Sequence, residues 1–183
     1  MSRAGAEELT WPLAGLLAEP PGASRDLAAD GVLLDLGPDV VQDSPLSVRV
    51  HVARTNRGVI VRARLETSVA ETCSRCLRPA SVPLALELVE EVLPSIDLAS
   101  GLPLDADAEP DAPRLSAHHE LELEPIARDA IWMAEPIAPL CRPDCPGLCP
   151  ICGADLASGP HDHGEEPVDP RLQALRGFSP DEG

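Results

Sequence analysis

The 183-residue chain carries 31 acidic residues against 14 basic ones, a net charge of −17, and its only aromatic residues are Trp11, Trp132 and Phe178. So few rings exclude recognition of single-stranded nucleic acid by base stacking, which needs aromatic platforms. The length suits one domain with its own core plus an appendage, and 21 Pro and 13 Gly predict short elements joined by many loops.

In chain order, residues 1–28 look weakly structured apart from a short helix expected at Glu7–Leu17, ending before Pro20-Pro21. "GVLLDLG" (31–37) has the pattern of a short strand. "LSVRVHVA" (46–53) puts Val48, Val50 and Val52 on one face and Arg49 and His51 on the other, the period of a half-buried strand. After the turn-like "RTNRG", the stretch 59–71 repeats the pattern. Val59, Val61, Ala63 and Leu65 oppose Ile60, Arg62, Arg64 and Glu66. The two runs predict a long antiparallel hairpin with an apolar side and an Arg-studded side. "VPLALELVEEVL" (82–93) predicts a third strand. Residues 94–117, rich in Pro, Asp and Ala, predict a flexible acidic loop. "HELELE" (119–124) predicts a short strand, and Pro125 opens a helix over about 125–134 with Ile126, Ala130 and Met133 at helical spacing. Trp132 and Met133 are expected in the core. Pro136 and Pro139 end the helix, and the tail 165–183 has room for a short helix around 170–176.

No apolar run approaches the ~20 residues of a membrane span, and the opening MSRAGAEELT lacks the apolar core of a secretory signal. A cytoplasmic location is therefore expected, where clustered thiols hold metal more often than they form disulfides.

All 14 basic residues are Arg, and seven fall in residues 49–78 beside only Glu66 and Glu71. That window carries +5; the rest, with seven Arg against 29 acids, carries −22. Arg49, Arg62 and Arg64 share one side of the hairpin, and Arg75 and Arg78 are expected to extend that side. Guanidinium forks suit phosphate oxygens bidentately, which makes these five residues candidate RNA contacts. The plainer reading is a solvated hairpin face in a chain that uses no Lys.

Six cysteines stand in two clusters: "CSRC" at 73–76 and "CRPDCPGLCPICG" at 141–153. Zinc takes four soft or borderline ligands in a tetrahedron, and Cys-x2-Cys supplies two from one tight turn. Cys73/Cys76 and Cys149/Cys152 are both such turns. A thioredoxin-like redox motif would need a βαβ setting that neither pair has. One ion could be bound by Cys141, Cys145, Cys149 and Cys152. Counting His161 and His163 as well gives eight ligands, enough for two sites. In that partition Cys149, Cys152, His161 and His163 form a local knuckle, and Cys73 and Cys76 meet Cys141 and Cys145 across the chain. Full protein ligation leaves no open position for water or substrate, so either arrangement reads as structural zinc. The fold class is then α+β and mainly antiparallel β: a long hairpin, further short strands, one or two helices and a zinc-knuckle C-terminal extension. The organisation is a weakly ordered N-terminus (1–20), a β-rich domain with its acidic loop (21–140), and a Cys/His extension and tail (141–183).

The "CSRCLRPA" knuckle after a hairpin, then "LELEPIARDAIWMAEPIAPLCRPDCPGLCPICGADL", then "DPRLQALRGF" resembles the YceD family (domain of unknown function 177) in order and spacing. The likeness runs from about Pro21 to Phe178. Where the family's tail often carries Cys-x-Cys, this chain has His161-Asp162-His163, which by resemblance supports both histidines as ligands. The resemblance implies a non-catalytic role in accumulation of 23S ribosomal RNA and large-subunit biogenesis. It points to precursor ribosomal RNA or an assembly intermediate as partner, while the acidic remainder of the chain could alternatively hold a basic ribosomal protein; no membrane and no small-molecule substrate are expected. An enzyme reading would have to use His118, His119 and Glu120, which lack an acid and base at defined spacing. A zinc-stabilised protein-binding module unrelated to ribosomes is the alternative.

Overall fold

The computed structural model describes residues 9–105, 107, 109–159, 162–163 and 171–172. Its elements in chain order are β1 (Thr10–Pro12), α1 (Ala14–Leu17), β2 (Ser24–Val32), β3 (Val41–Arg54), β4 (Val59–Thr72), β5 (Pro79–Val92), β6 (Glu120–Glu122) and α2 (Glu124–Ala134). A single 3-10 turn follows at Leu156–Ser158. The strands β2-β3-β4-β5 form one antiparallel sheet in that order, and β1 pairs with β6 in a separate ribbon. The architecture is mainly antiparallel β with two helices.

Alternation explains the layering. Val48, Val50 and Val52 of β3 and Val59, Val61, Ala63 and Leu65 of β4 are all buried on one sheet face. That face is covered by Leu9, Leu13, Leu16 and Leu17 from the N-terminal elements and by Leu121, Leu123, Ala127 and Ile131 from β6 and α2. The core is aliphatic throughout. At ~25 cal/mol per Å² of apolar surface buried, such small side chains stabilise through number rather than size. The other face, carrying Arg49, His51, Arg62 and Arg64, meets solvent.

The β3–β4 turn is closed tightly. Thr55 N–H donates to Gly58 O at 2.9 Å, and the Arg54 guanidinium donates to Gly58 O at 3.0 Å and to Leu17 O at 3.2 Å. A Cβ at Gly58 would stand 2.3 Å from Val92 O, so this position requires glycine for close approach to β5.

Several sequence expectations are corrected. The single helix expected at Glu7–Leu17 is instead a strand followed by one helical turn, Ala14–Leu17. Pro12 donates no N–H and stands at the strand's end, which fits its fixed backbone. Strand β2 occupies Ser24–Val32, most of it in a stretch expected to be weakly structured. "GVLLDLG" alternates as expected, with Leu33 exposed and Leu34 and Leu36 buried, yet only its beginning belongs to a strand. The Gln42 amide replaces a neighbouring strand there, accepting from Leu34 N at 2.8 Å and donating to Val32 O at 3.1 Å.

Residues 94–117, expected to be a flexible acidic loop, hold no helix or strand among the described residues and are tied to the end of β5 at Leu93. Leu93 bridges Arg114 in parallel, Ile96 bridges Pro103, and Ser95 Oγ donates to Leu115 O at 2.8 Å. In α2 the buried stripe is Leu123, Ala127 and Ile131, spaced i, i+4, i+8, with Ile126 and Ala130 half-buried beside it. Met133 is therefore turned out, 86% exposed. Trp132 is 49% exposed and is held by its indole N–H, which donates to Leu36 O at 2.9 Å. Helix α2 ends where Glu135 leaves helical geometry, as the residue before Pro136 must tend to do.

Candidate metal centre and arginine face

The link between β4 and β5 is the first cysteine knuckle. Leu77 N–H donates to Cys73 O and Cys73 N–H to Arg78 O, both at 2.9 Å, which turns both thiols to one side. Leu77 takes φ 58, a left-handed conformation uncommon for a branched side chain and held here by those two bonds. The chain leaving α2 is stitched onto this knuckle: Ser74 N–H and Ser74 Oγ both donate to Pro139 O, at 2.8 and 3.0 Å. Two residues on comes Cys141, and the Arg75 guanidinium then donates to Cys145 O at 3.0 Å. Gly147, at φ 81, passes so close to Arg75 that a Cβ would lie 3.0 Å from Arg75 O.

These ties gather Cys73, Cys76, Cys141 and Cys145, whose sulfurs all lie within 4.8 Å of one another. Cys73 and Cys145 Sγ are 3.8 Å apart, and Cys76 and Cys141 Sγ are 3.7 Å apart. A disulfide needs about 2.05 Å. The edge of a tetrahedron with metal–sulfur bonds of about 2.3 Å is about 3.8 Å, so the spacing fits four thiolates around one zinc-sized ion.

The thiols are electrostatically unlike. Backbone N–H groups of Cys76 and then Cys141 lower the Cys73 thiol to about 6. The Arg78 side chain, and then its backbone, lowers Cys76. Cys141 is pushed up to about 12, first by its hydrogen bond with Cys145, while burial raises Cys145. Two of the four thiols thus favour the thiolate and two the thiol, and a cation bound by all four would have to displace the remaining protons.

A second group follows. Cys149 N–H donates to Ala154 O and Gly153 N–H to Cys149 O, both at 2.8 Å, with Gly153 at φ 73. Cys149, Cys152 and His163 have ligand atoms within 4.8 Å of one another, and Cys149 Sγ lies 3.2 Å from His163 Nε2. His161, the fourth expected ligand, lies outside the described residues. The structure thus sets the six cysteines in two groups rather than one. Arg78 connects them: its Nε donates to Cys76 Sγ at 3.5 Å and its guanidinium meets Asp155 Oδ2 at 3.5 Å. Asp155 in turn caps the 3-10 turn, accepting from Ala157 N at 2.9 Å. Sequence reasoning missed this bridging role, because an Arg two residues after a Cys carries no spacing signal of its own.

The arginine face is more balanced than the local charge count suggested. In register, Arg49 stands directly opposite Arg64, and Arg62 opposite His51. Neighbouring strands bring carboxylates among them. Arg49 pairs with Asp30 at 2.9 Å, His51 with Asp26 at 2.7 Å, and Arg64 with Glu66 at 3.0 Å and Glu87 at 3.9 Å. Among the described residues Arg62 has no ion pair. Together they line a concavity of about 500 Å³ on the open sheet face. Arg75 and Arg78 do not extend this strip. They follow the end of β4, eight residues or about 26 Å past Arg64 at ~3.3 Å per residue, and they hold the cysteine groups together.

His118 and His119 sit in the turn before β6, where Ser116 Oγ and Glu120 Oε2 are 3.3 Å apart. His119 takes φ 59 and Glu120 opens the strand. No helix among the described residues is long and apolar enough to cross a membrane.

The family description "Large ribosomal RNA subunit accumulation protein YceD" matches residues 61–179, most of the chain and both cysteine clusters. An uncharacterized protein of Mycobacterium tuberculosis is 35% identical over 134 residues, covering 73% of this chain and 62% of the relative. One of Mycobacterium leprae is 28% identical over 130 residues, covering 69% and 56% respectively. The chain thus aligns with about three fifths of the length of these relatives. No solved structure matches it. With both cysteine clusters, strand β5 and helix α2 inside the matched span, the chain belongs to the YceD family.

Proposed function

We propose that this protein is a non-catalytic factor in the accumulation of large-subunit ribosomal RNA, a metal-clipped sheet that touches precursor RNA through Arg49, Arg62 and Arg64. The observation that carries the reading is the register of β3 against β4. Like charges directly opposite on an antiparallel pair are destabilising, yet Arg49 faces Arg64, and among the described residues Arg62 beside them makes no ion pair. A phosphate oxygen seated between guanidiniums would relieve that repulsion. Asp26, Asp30, Glu66 and Glu87 around the strip keep the affinity for bulk RNA low, which suits a factor that leaves the maturing particle. The family description supports the process, and the coordination chemistry supports zinc as the ion at both cysteine groups.

Cells lacking the protein should show a shortage of large subunits and of 23S RNA on sucrose gradients; a normal profile would remove the assembly reading. The double variant Arg62→Glu, Arg64→Glu should lose co-sedimentation with large-subunit precursors while keeping its thermal midpoint within a few degrees. Retained co-sedimentation would move the RNA contact off this face.

A further inference from the structure

A second surface adjoins the arginine face along β5, where Glu87, Leu88 and Val89 line both. A groove of about 750 Å³ runs between strand β5 and helix α2. One wall is the free edge of β5, which pairs only with β4 along Pro79–Val92. Among the described residues, no backbone hydrogen bond is made to its other side over residues 85–90. Every second residue of an edge strand turns N–H and C=O outward, a template for another strand. The chain itself uses that template once, just past the strand's end: Leu93 N–H donates to Pro113 O and Leu115 N–H to Leu93 O, both at 2.9 Å. It then turns away and leaves the edge before Leu93 open.

The opposite wall is apolar: Ile126, Ala130 and the exposed Met133 of α2, across from Leu86 and Leu88. The charged lining is of one sign only. Glu87, Glu90, Asp111 and Asp129 border the groove, with no Arg or His among its lining residues. Arg128, the basic residue of α2, is drawn to Glu124 at 2.5 Å.

We propose that this groove captures an extended basic polypeptide segment of a partner protein, added along β5 as a fifth strand. Main-chain bonds to the β5 edge would supply affinity, apolar side chains would rest on α2, and Lys or Arg of the alternate row would lie on the face of Glu87, with Glu90, Asp111 and Asp129 adding a negative field that favours a basic segment. The open stretch of six residues spans about 20 Å, the length of an ordinary strand. Charge argues against other occupants. Nucleic acid has the wrong sign, and the chain's residues 164–183 hold five acids against two Arg. The inference is independent of the RNA contact proposed above.

The test uses the full-length, metal-loaded protein and a fluorescein-labelled peptide, KVRVKVRV. Anisotropy should show saturable binding that weakens at least tenfold between 50 and 500 mM salt, and amide exchange should slow over residues 85–90. Glu90→Lys with Asp129→Lys should weaken binding at least tenfold. Met133→Lys, on a side chain that is 86% exposed, should do so in a variant whose folding is not in question. Arg62→Glu should leave peptide binding unchanged, which separates this site from the RNA face. Absence of binding, equal binding of the acidic peptide EVDVEVDV, or protection appearing around Arg62 instead would overturn the proposal. So would an RNA oligonucleotide that protects residues 85–90.

Discussion

The sheet and the cysteine module are held by different physics. Twenty-four buried apolar residues, from five of the six strands, both helices and the segments between them, form the sheet's core. The module's own cluster is Cys73, Cys76, Ala80 and Cys145, with Leu140 packed against it. An assembly of that size cannot offset the entropy of ordering residues 135–159 by apolar burial alone. It resembles small metal domains in which ligation supplies the folding free energy, on the order of 10 kcal/mol for structural zinc. The comparison sets a unit packed by apolar burial beside one whose order would depend on ligation, the two meeting at the β4–β5 knuckle.

Stripping the metal should break that comparison most visibly. A strong chelator should make the chain beyond Pro139 susceptible to protease while the sheet's melting transition persists. Native mass spectrometry should count two ions leaving, and an unchanged proteolysis pattern would refute the clip. Acid should act in the same direction, because protons compete for thiolates that the ion needs.

The converse perturbation is Leu65→Ala. Leu65 is fully buried in the sheet's core, so its truncation should cost about 2–5 kcal/mol by urea denaturation. Metal stoichiometry of the folded protein should be unaffected.

A smaller effect sharpens the boundary between the two regions. Arg78→Ala removes the bond to Cys76 Sγ and the pairing with Asp155. Groups that orient metal ligands typically alter affinity about 10–100-fold. Competition with a chromogenic chelator should therefore show weakened retention, with Arg78→Lys recovering part of it. If only the sheet's stability changed, the bridging role would be wrong.

The smallest effect lies on the arginine face. The Arg49 guanidinium, and next the Ser47 hydroxyl, hold the Asp30 carboxyl below the usual carboxylate range. A depressed carboxylate contributes stability above its unfolded pKa of about 3.9 and loses it as pH falls through the lower folded value. Arg49→Ala should move the Asp30 titration upward in an NMR pH series, with little change in unfolding at neutral pH because the pair is exposed.

How much of this was legible beforehand depended on whether the signal was local. Strands β3, β4 and β5 and helix α2 announced themselves through clean alternation or a proline-led apolar stripe. The pairing of Cys73 and Cys76 with Cys141 and Cys145 followed from ligand arithmetic, without knowing the path between them. Strand β2 did not announce itself, because SRDLAADGV offers Ala and charge where a strand shows β-branched residues. The charge balance of the arginine face was equally hidden. Asp26, Asp30 and Glu87 reach it only through strand register, which no count along the chain contains. Trp132 and Met133 were misplaced because apolar residues cover much of α2, and only packing selects the stripe through Ala127 and Ile131.

The ligand spacing has a consequence for synthesis. Cys76 and Cys141 are 65 residues apart, whereas Cys149, Cys152 and His163 lie within one short segment. As the chain emerges from its N-terminus, the sheet's long hairpins can close while the first knuckle still lacks half of its donors. An ion reaching Cys73 and Cys76 early would be held by two sulfurs only and could exchange freely. Closure of that tetrahedron would therefore wait for Cys145, 72 residues after Cys73, so that an ion held by all four sulfurs would mark a chain translated past helix α2.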